Sequence, residues 1–321
     1  MSESLDAIRL RIEALEMDFE FIKTIKTSMN GIERETWLLE YEGAQFVFVA
    51  GQKNVTLGWD IDQCPLGEGI LKGLREEFDL IYSYYYQVER TELLEEYQEQ
   101  IKEANTKGDT TKAKKLESEL EEELKNFDED MNENGYTSWD NFIGKWNEYL
   151  SQCLSPLRTV DIGDMIVEVD SRYLNEDAQS LSQIVSFLKE GSFTLATEDE
   201  WEYLCNSGAR TLFRWGDLLN NNILQDIFGN GKVRKDGERI LSVLERPNML
   251  GLFIAYDSYK YEIIDHTKYV KGGDGGSSLC GGDGPIYVLP CYTAFYRQEI
   301  HEGNYGLSKN YYCYRRIIRL S

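Results

Sequence analysis

The sequence predicts an α+β protein in which a large helical insertion interrupts a loop-rich core. Residues 45–60 have the β-rich pattern of short strands, and residues 61–155 are dominated by helical periodicity. Residues 156–321 are rich in Gly, Asn and aromatic residues, with only short helical stretches. We therefore expect an N-terminal helical segment (1–40), the first hairpin of the core (41–60), the insertion (61–155) and the main part of the core (156–321).

The N-terminal segment is predicted to be a helix from about Ser4 to Thr27. Apolar residues recur there at spacings of three and four from Leu5 to Ile22, which places them on one stripe. The segment is acidic and lacks the basic start and apolar block of a secretory signal. No stretch of the chain approaches the roughly 18 apolar residues that a membrane-spanning helix needs. We therefore expect a cytoplasmic protein.

A β-hairpin is predicted over 45–60. Two runs of strand-forming residues, 45–50 and 55–60, flank the turn-forming stretch Gly51-Gln52-Lys53-Asn54.

The insertion is predicted to contain an antiparallel helical hairpin. Two apolar stripes with a spacing of four lie on either side of the polar stretch 105–110. The stripes are Leu93, Tyr97 and Ile101 before it and Leu116, Leu120 and Leu124 after it. The dense Glu and Lys residues around them are interpreted as a solvated face, with a docking arm for a partner as the alternative.

Within 156–321 we expect an extended segment over 160–169 and helices over 179–190 and 197–205. Thr197 and Glu200 have the spacing of a capping box at the start of the last helix. Trp201 and Tyr203 are expected to anchor that helix in the core. Beyond residue 208 the composition predicts irregular loops with short strands.

Charge and cysteine spacing exclude several classes of function. The net charge of −23 argues against a nucleic-acid partner and against an anionic membrane surface. The six cysteines are widely spaced with no C-x-x-C pair, so a structural zinc site is not expected. Two histidines are too few for a His-rich metal site, and the glycine-rich stretch 272–284 lacks the ending of a P-loop.

A series of motifs resembles the formylglycine-generating enzyme (sulfatase-modifying factor) family. Residues 193–203, FTLATEDEWEY, are similar to the family's "LPTEAEWEYA" motif. Further similarities follow in the family's order, at 208–217, 247–252 (PNMLGL), 271–278 (KGGDGGSS) and 313–316 (CYRR), and upstream at 46–60. The resemblance implies an irregular, C-type-lectin-like core in which 46–60 joins the residues after 156.

The same resemblance implies candidate site residues. In the family, two cysteines five residues apart bind copper and, with oxygen, oxidise a cysteine of a sulfatase to formylglycine. Cys280 matches the first, and the next cysteine, Cys291, follows eleven residues later. The two are candidate catalytic and copper-binding residues, with packed thiols as the alternative. In place of the family's calcium loop stands 257–263, where Asp257 and Glu262 are the candidate calcium ligands.

We expect a binding module without oxidase activity that recognises a protein or small ligand through its C-terminal loops. No cofactor is firmly implied. Tyrosine is well suited to such contacts, and the candidate binding residues are Tyr287, Tyr292, Tyr296, Arg297 and Tyr311. Two alternatives stay open: a copper-binding oxidase that modifies a protein cysteine, and a structural or signalling subunit that docks through the helical hairpin.

Overall fold

The computed structural model describes residues 5–29, 32–174, 180–219, 223, 232–233, 239–240, 242–277, 289–300 and 307–320. These residues form helices and two five-stranded, largely antiparallel sheets, together with two smaller two-stranded sheets. The predicted α+β class is confirmed. In the described ranges, no helix combines the length and apolar composition needed to cross a bilayer.

The chain divides into two compact units. The core unit consists of 1–65, 153–218 and 222–321, and the helical unit consists of 66–152 and 219–221. Within the core unit, strands β4 (Gln52–Leu57) and β5 (Arg158–Ile162) pair antiparallel, with Leu57 opposite Arg158. The amide of Trp59 also donates to the Ser155 carbonyl at 2.8 Å. The helical unit is thus inserted in the chain between two neighbouring strands.

The predicted N-terminal helix is shorter than expected. Helix α1 spans Leu5–Glu13, Glu16 has a left-handed backbone (φ 54°), and strand β1 spans Glu20–Met29. Ile8 and Ile12 on the predicted stripe are buried in the core. The prediction is wrong for 14–27. Residues 14–19 lie between the helix and β1, and residues 20–27 contain four β-branched residues and pair with β2.

The first five-stranded sheet has the order β1–β2–β3–β6–β14. Its further strands are β2 (Ile32–Tyr41), β3 (Ala44–Val49), β6 (Met165–Glu168) and β14 (Ile317–Arg319). Strand β3 pairs with β6, with Val47 opposite Val167. This pairing places the β-rich segment that begins at 44 beside strands from the second half of the chain, as expected.

Strands β3 and β4 do not form the predicted hairpin. They belong to different sheets, and together they run as one bent ribbon antiparallel to β5 and β6. Gly51 lies at the bend, where a Cβ atom would come within 2.3 Å of the Ile162 carbonyl oxygen. Its amide donates to the Asp164 carboxylate at 2.6 Å. The stretch 51–54 therefore bends the ribbon between two sheets instead of reversing the chain.

The second five-stranded sheet has the order β12–β11–β10–β13–β7. Its strands are short, as the loop-rich composition predicts: β7 (Arg172–Tyr173), β10 (Tyr261–Ile263), β11 (Tyr269–Lys271), β12 (Arg297–Glu299) and β13 (Tyr312–Tyr314). Strands β8 (Lys232–Val233) and β9 (Arg239–Ile240) form a separate pair. The strand β13 contacts both β10 and β7, so it joins residues from three distant parts of the chain.

Two short helices flank the sheets of the core unit. Helix α6 spans Leu181–Glu190 and helix α7 spans Glu198–Asn206. The capping box predicted at Thr197 is confirmed: its side chain accepts from the Glu200 amide, and the Glu200 carboxylate accepts from the Thr197 amide. Trp201 and Tyr203 are buried, as predicted.

The helical unit contains α2 (Glu68–Ile81), a π-helix (Tyr82–Glu89), α3 (Arg90–Thr106), α4 (Thr110–Glu133) and most of α5 (Trp139–Cys153). Helices α3 and α4 form the predicted hairpin, with a turn inside 105–110. Tyr97 and Ile101 pack against buried Leu116, and Arg90 donates to the Asp128 carboxylate from the opposite helix at 3.0 Å.

Each of three arginines near the C-terminus pairs with a glutamate from another element. The pairs are Arg315–Glu262 (2.9 Å), Arg316–Glu168 (2.9 Å) and Arg319–Glu200 (2.5 Å). Every guanidinium contacts both oxygens of its carboxylate, the bidentate geometry that makes such pairs strong. The C-terminal segment thereby holds together both large sheets and helix α7.

A further ion pair, which is fully buried, connects α7 to β11. The Lys271 amine lies 2.9 Å from the Glu202 carboxylate, and both side chains are inaccessible to solvent. Glu202 also accepts hydrogen bonds from the Ser155 hydroxyl and the Gly58 amide, and Arg158 lies 3.2 Å away. All four partners satisfy a charge that burial would otherwise make costly.

Candidate binding surface

Of the two candidate cysteines, the structure describes only Cys291. Cys280 lies outside the described residues. Cys291 lies in a 3₁₀ helix (Leu289–Tyr292) and is buried. Burial, followed by the nearby carboxylate of Asp274, raises the pKa of the Cys291 thiol well above its usual value. Because the thiolate is the nucleophilic form of cysteine, this environment disfavours attack by Cys291 on a substrate.

The structure distributes the candidate binding residues between the core and the surface. Tyr287 lies outside the described residues, and Tyr292 and Tyr296 are buried. The Tyr296 hydroxyl donates to the Gln298 side chain at 2.9 Å. Burial leaves little of either ring for a partner to contact.

Arg297 and Tyr311 are more accessible than those two tyrosines. The Arg297 guanidinium lies over the Tyr269 ring, 4.4 Å from its centre, and its side chain is half-buried. Tyr311 is 46% exposed. Of the candidates within the described residues, Tyr311 offers the largest exposed aromatic surface.

The two candidate calcium ligands already have protein partners. Both Glu262 oxygens accept hydrogen bonds from Arg315, at 2.9 and 3.2 Å. An Asp257 oxygen accepts from the Tyr259 amide at 2.9 Å. Among the described residues, no three His, Cys, Asp or Glu side chains form a group that could hold a metal ion. Glu262 serves as the counterion of a buried arginine in this arrangement.

Tyr311 belongs to a group of four tyrosines and one lysine that we call the tyrosine patch: Tyr173, Tyr256, Tyr259, Lys260 and Tyr311. Tyr173, Tyr259 and Tyr311 are 48%, 41% and 46% exposed. The Lys260 amine lies 4.9 Å from the centre of the Tyr173 ring, and the Tyr173 and Tyr256 hydroxyls are 3.2 Å apart. The Lys260 amine thus contacts the Tyr173 ring, and it also donates to the carbonyl of Asn310, which precedes Tyr311.

Strand pairing brings these tyrosines together from three parts of the chain. Cys313 of β13 lies opposite Tyr173 of β7, and Tyr312 lies beside Tyr261 of β10. The Tyr261 amide donates to the Tyr311 carbonyl at 2.7 Å. Because these contacts join residues 50 to 140 positions apart, spacing along the sequence could not reveal the patch.

The glycine turn that follows β11 packs against Tyr259 of the patch. The Asp274 amide donates to the Ser258 carbonyl at 2.8 Å, and both Gly273 and Gly276 have positive φ. A Cβ atom at Gly276 would lie 2.2 Å from the Tyr259 ring. Only glycine therefore fits a turn that packs this closely against Tyr259.

The buried side chain of Arg315 connects the strands and the loop segment next to the patch. Its guanidinium donates to the carbonyls of Glu168, Val169 and Phe253 at 2.6–2.7 Å, in addition to pairing with Glu262. These acceptors lie on or next to β6 and β10 and in the segment before the patch. Arg315 lies in the motif 313–316, and nothing in the spacing of that motif indicates these distant contacts.

Comparison of the chain with models of known protein families, with curated proteins and with solved structures finds no match.

Proposed function

We propose that this chain is a divergent formylglycine-generating-enzyme-like protein with a C-type-lectin-like core that acts as a protein-binding module, and that the tyrosine patch forms part of its binding surface. The observation that carries this proposal is the group of exposed tyrosines around Lys260. Tyrosine combines a large apolar ring with a hydroxyl and loses little conformational freedom on binding, which is why it is enriched at recognition surfaces.

The framework beneath the patch suits recognition without large rearrangement. The glycine turn packs against Tyr259, and the buried guanidinium of Arg315 joins the surrounding strands. Side chains on a fixed scaffold lose less entropy when a partner binds.

The family assignment is supported by the structural roles of the residues in the family's motifs. Thr197 and Glu200 cap α7, Trp201 is buried, and Lys271 begins the glycine turn and pairs with Glu202. These residues build a framework and do not themselves perform chemistry. A shared framework without the family's reaction is consistent with the general independence of fold and function.

A protein partner fits the patch better than a small molecule. The cavity that borders the patch beside Tyr256 and Lys260 has a volume of about 10 Å³, which is close to the space that one water molecule needs. Typical small-molecule pockets measure about 300–1,000 Å³. A partner would therefore contact the exposed rings instead of entering a pocket.

Loss of oxidase activity is part of the proposal. The buried Cys291 thiol has a raised pKa and neighbours Asp274, whose negative charge disfavours the thiolate further. The eleven-residue separation of Cys280 and Cys291 also departs from the five-residue separation of the family's copper-binding cysteines.

The experiment compares three versions of the tagged full-length protein as baits in lysates of its source cells. They are the wild type, Tyr173→Ser/Tyr311→Ser, and Tyr84→Ser, which removes a 59% exposed tyrosine from the helical unit. Candidate partners are then purified and their Kd is measured by calorimetry.

We expect a partner that binds the wild type and Tyr84→Ser equally and the double variant at least about tenfold more weakly, since interface tyrosines commonly contribute more than 1 kcal/mol each. Equal affinity of a purified partner for all three proteins would contradict the proposed surface. Conversion of a cysteine-containing peptide to formylglycine by the wild type would contradict the absence of oxidase activity.

A further inference from the structure

A second cavity lies in the core unit, between helix α1 and the first two strands. Its volume is about 530 Å³, which falls within the range of ligand-binding pockets. Three aromatic side chains line it: Phe19, Phe21 and Trp37. The Phe21 and Trp37 rings meet edge to face with centres 5.8 Å apart. This arrangement leaves an aromatic wall on one side of the cavity.

The charges at the rim favour a cation. Asp6, Arg9 and Glu13 of α1 line the cavity, and Arg9 pairs with Glu13 at 2.9 Å. The other arginine of α1, Arg11, pairs with Asp164 at 2.6 Å. Among the described residues no ion pair is found for Asp6, and the three charged side chains at the rim sum to one negative charge. A cation entering the cavity gains attraction both from Asp6 and from the faces of the aromatic rings.

The helix and strand that line the cavity also carry exposed apolar side chains. Leu10 on α1 is 65% exposed, and Phe21 and Ile22 on β1 are 57% and 41% exposed. Groups of large apolar side chains that remain in contact with water are typical of surfaces covered by a partner. The cavity thus lies within a wider surface that a macromolecule could cover.

Strand β1 supplies a means of holding an extended chain. Among the described strands, β1 lies at one end of its sheet, with β2 as its neighbour. An edge strand has backbone donors and acceptors on one side that another strand can pair with. When a peptide adds to such an edge, alternate side chains point to the same face of the sheet, so one of them can reach a pocket there.

We propose that the β1 edge and this cavity bind an extended basic segment of a partner protein, with an arginine or lysine side chain inserted against Trp37 and Asp6. The backbone of the segment pairs with β1, the aliphatic part of the side chain contacts the aromatic wall, and its cationic end approaches Asp6. The net charge of −23 favours approach of a basic segment from a distance. This surface is distinct from the tyrosine patch, so the inference does not depend on the proposed function.

The test uses the full-length protein and three synthetic peptides. The first is acetyl-Thr-Val-Thr-Arg-Thr-Val-Thr-amide. The second carries citrulline, which keeps the shape of arginine without its charge. The third is the arginine peptide with N-methyl groups at alternate residues, which prevents strand pairing. Calorimetry gives the Kd, and ¹⁹F NMR of 5-fluorotryptophan protein reports on Trp37, whose signal is assigned with Trp37→Phe.

We expect the arginine peptide to shift the Trp37 signal and to bind about tenfold more tightly than each of the other two. The citrulline peptide lacks the charge for the cation–π contact and the ion pair, and the N-methylated peptide lacks the backbone hydrogen bonds to β1. Asp6→Asn should weaken binding of the arginine peptide about threefold or more and leave the citrulline peptide unchanged. Asp18→Asn, which removes the same charge from an exposed neighbouring position, should leave both Kd values unchanged.

Three results would overturn the inference: equal Kd values for the arginine and citrulline peptides, full affinity of the N-methylated peptide, or equal effects of Asp6→Asn and Asp18→Asn. Absence of a Trp37 shift at about 1 mM arginine peptide would also overturn it, because that concentration detects even weak association of about −4 kcal/mol. Both aspartates are exposed, so neither substitution is expected to disturb folding.

Discussion

Replacement of Arg315 by methionine is expected to destabilise the centre of the core unit. The guanidinium is 1% exposed, pairs with both oxygens of Glu262, and donates to the carbonyls of Glu168, Val169 and Phe253. Methionine fills part of the volume and provides no donor. The substitution therefore leaves the Glu262 carboxylate buried without its counterion.

The expected loss in the free energy of unfolding follows from these contacts. Removing one partner of a buried ion pair costs about 3–5 kcal/mol, because the remaining charge loses its compensation. The carbonyls add less, since Val169 also accepts from the Phe253 amide at 3.1 Å and is not left without a donor. A loss of about 3–5 kcal/mol is a large part of the 5–15 kcal/mol that stabilises a typical domain.

Hydrogen exchange measured by mass spectrometry distinguishes destabilisation of the core unit from any change in the stability of the helical unit. Protection of the β10 and β13 amides should fall about a hundredfold or more, since each 1.4 kcal/mol corresponds to a factor of ten, while α3 and α4 exchange as in the wild type. Arg172→Met is the matched control, because Arg172 is 40% exposed and Arg316 still pairs with Glu168 after its removal. Protection of β10 within tenfold of the wild type in Arg315→Met would refute the reasoning.

Four further predictions concern the core, the insertion and the cysteines. Trp201→Ala should cost about 3–5 kcal/mol in urea unfolding, whereas Trp201→Phe should cost much less, because the indole N–H has no partner among the described residues; similar losses in both would contradict this packing. Replacing 91–128 by a short linker should preserve cooperative unfolding of the core unit, and its loss would show that the hairpin is part of the core. Serine at Cys280 or Cys291 should leave partner binding unchanged and copper(I) affinity equal to that of the double-serine protein; copper(I) binding that requires both sulfurs would instead favour the oxidase alternative. Burial raises the pKa of Cys205 to about 12, above its unfolded value near 9, so its contribution to stability is complete below pH 9 and is lost as the pH rises toward 12; the urea midpoint of the wild type should fall more steeply over that range than that of Cys205→Ala.

Local patterns in the sequence predicted the local structure well. The capping residues Thr197 and Glu200 and the apolar spacing around Leu116 each depend on neighbours within a few positions. The helix predicted over 14–27 failed because its spacing fits a helical stripe, while its β-branched residues fit the pairing with β2 that the fold provides. Tertiary pairing decided between the two.

The features that could not be predicted from the sequence depend on contacts between residues that are far apart in the chain. The turn at 51–54 was predicted as a hairpin because its composition is turn-like, yet its partners are the strands near Ile162 and Asp164. Tyr311 was identified as a binding candidate, but its neighbour Tyr173 was not, since strand pairing alone brings them together. Tyr292 and Tyr296 have the same residue type as Tyr311, and only burial distinguishes them.

The position of the three C-terminal arginines has a consequence for synthesis of the protein. Glu168, Glu200 and Glu262 are translated before the residues that neutralise them, because their arginine partners come later in the chain. Until those positions leave the ribosome, burial of the glutamates is opposed by uncompensated charge. We therefore expect the core unit to close after translation of this segment, and chains truncated before it to be more sensitive to proteolysis.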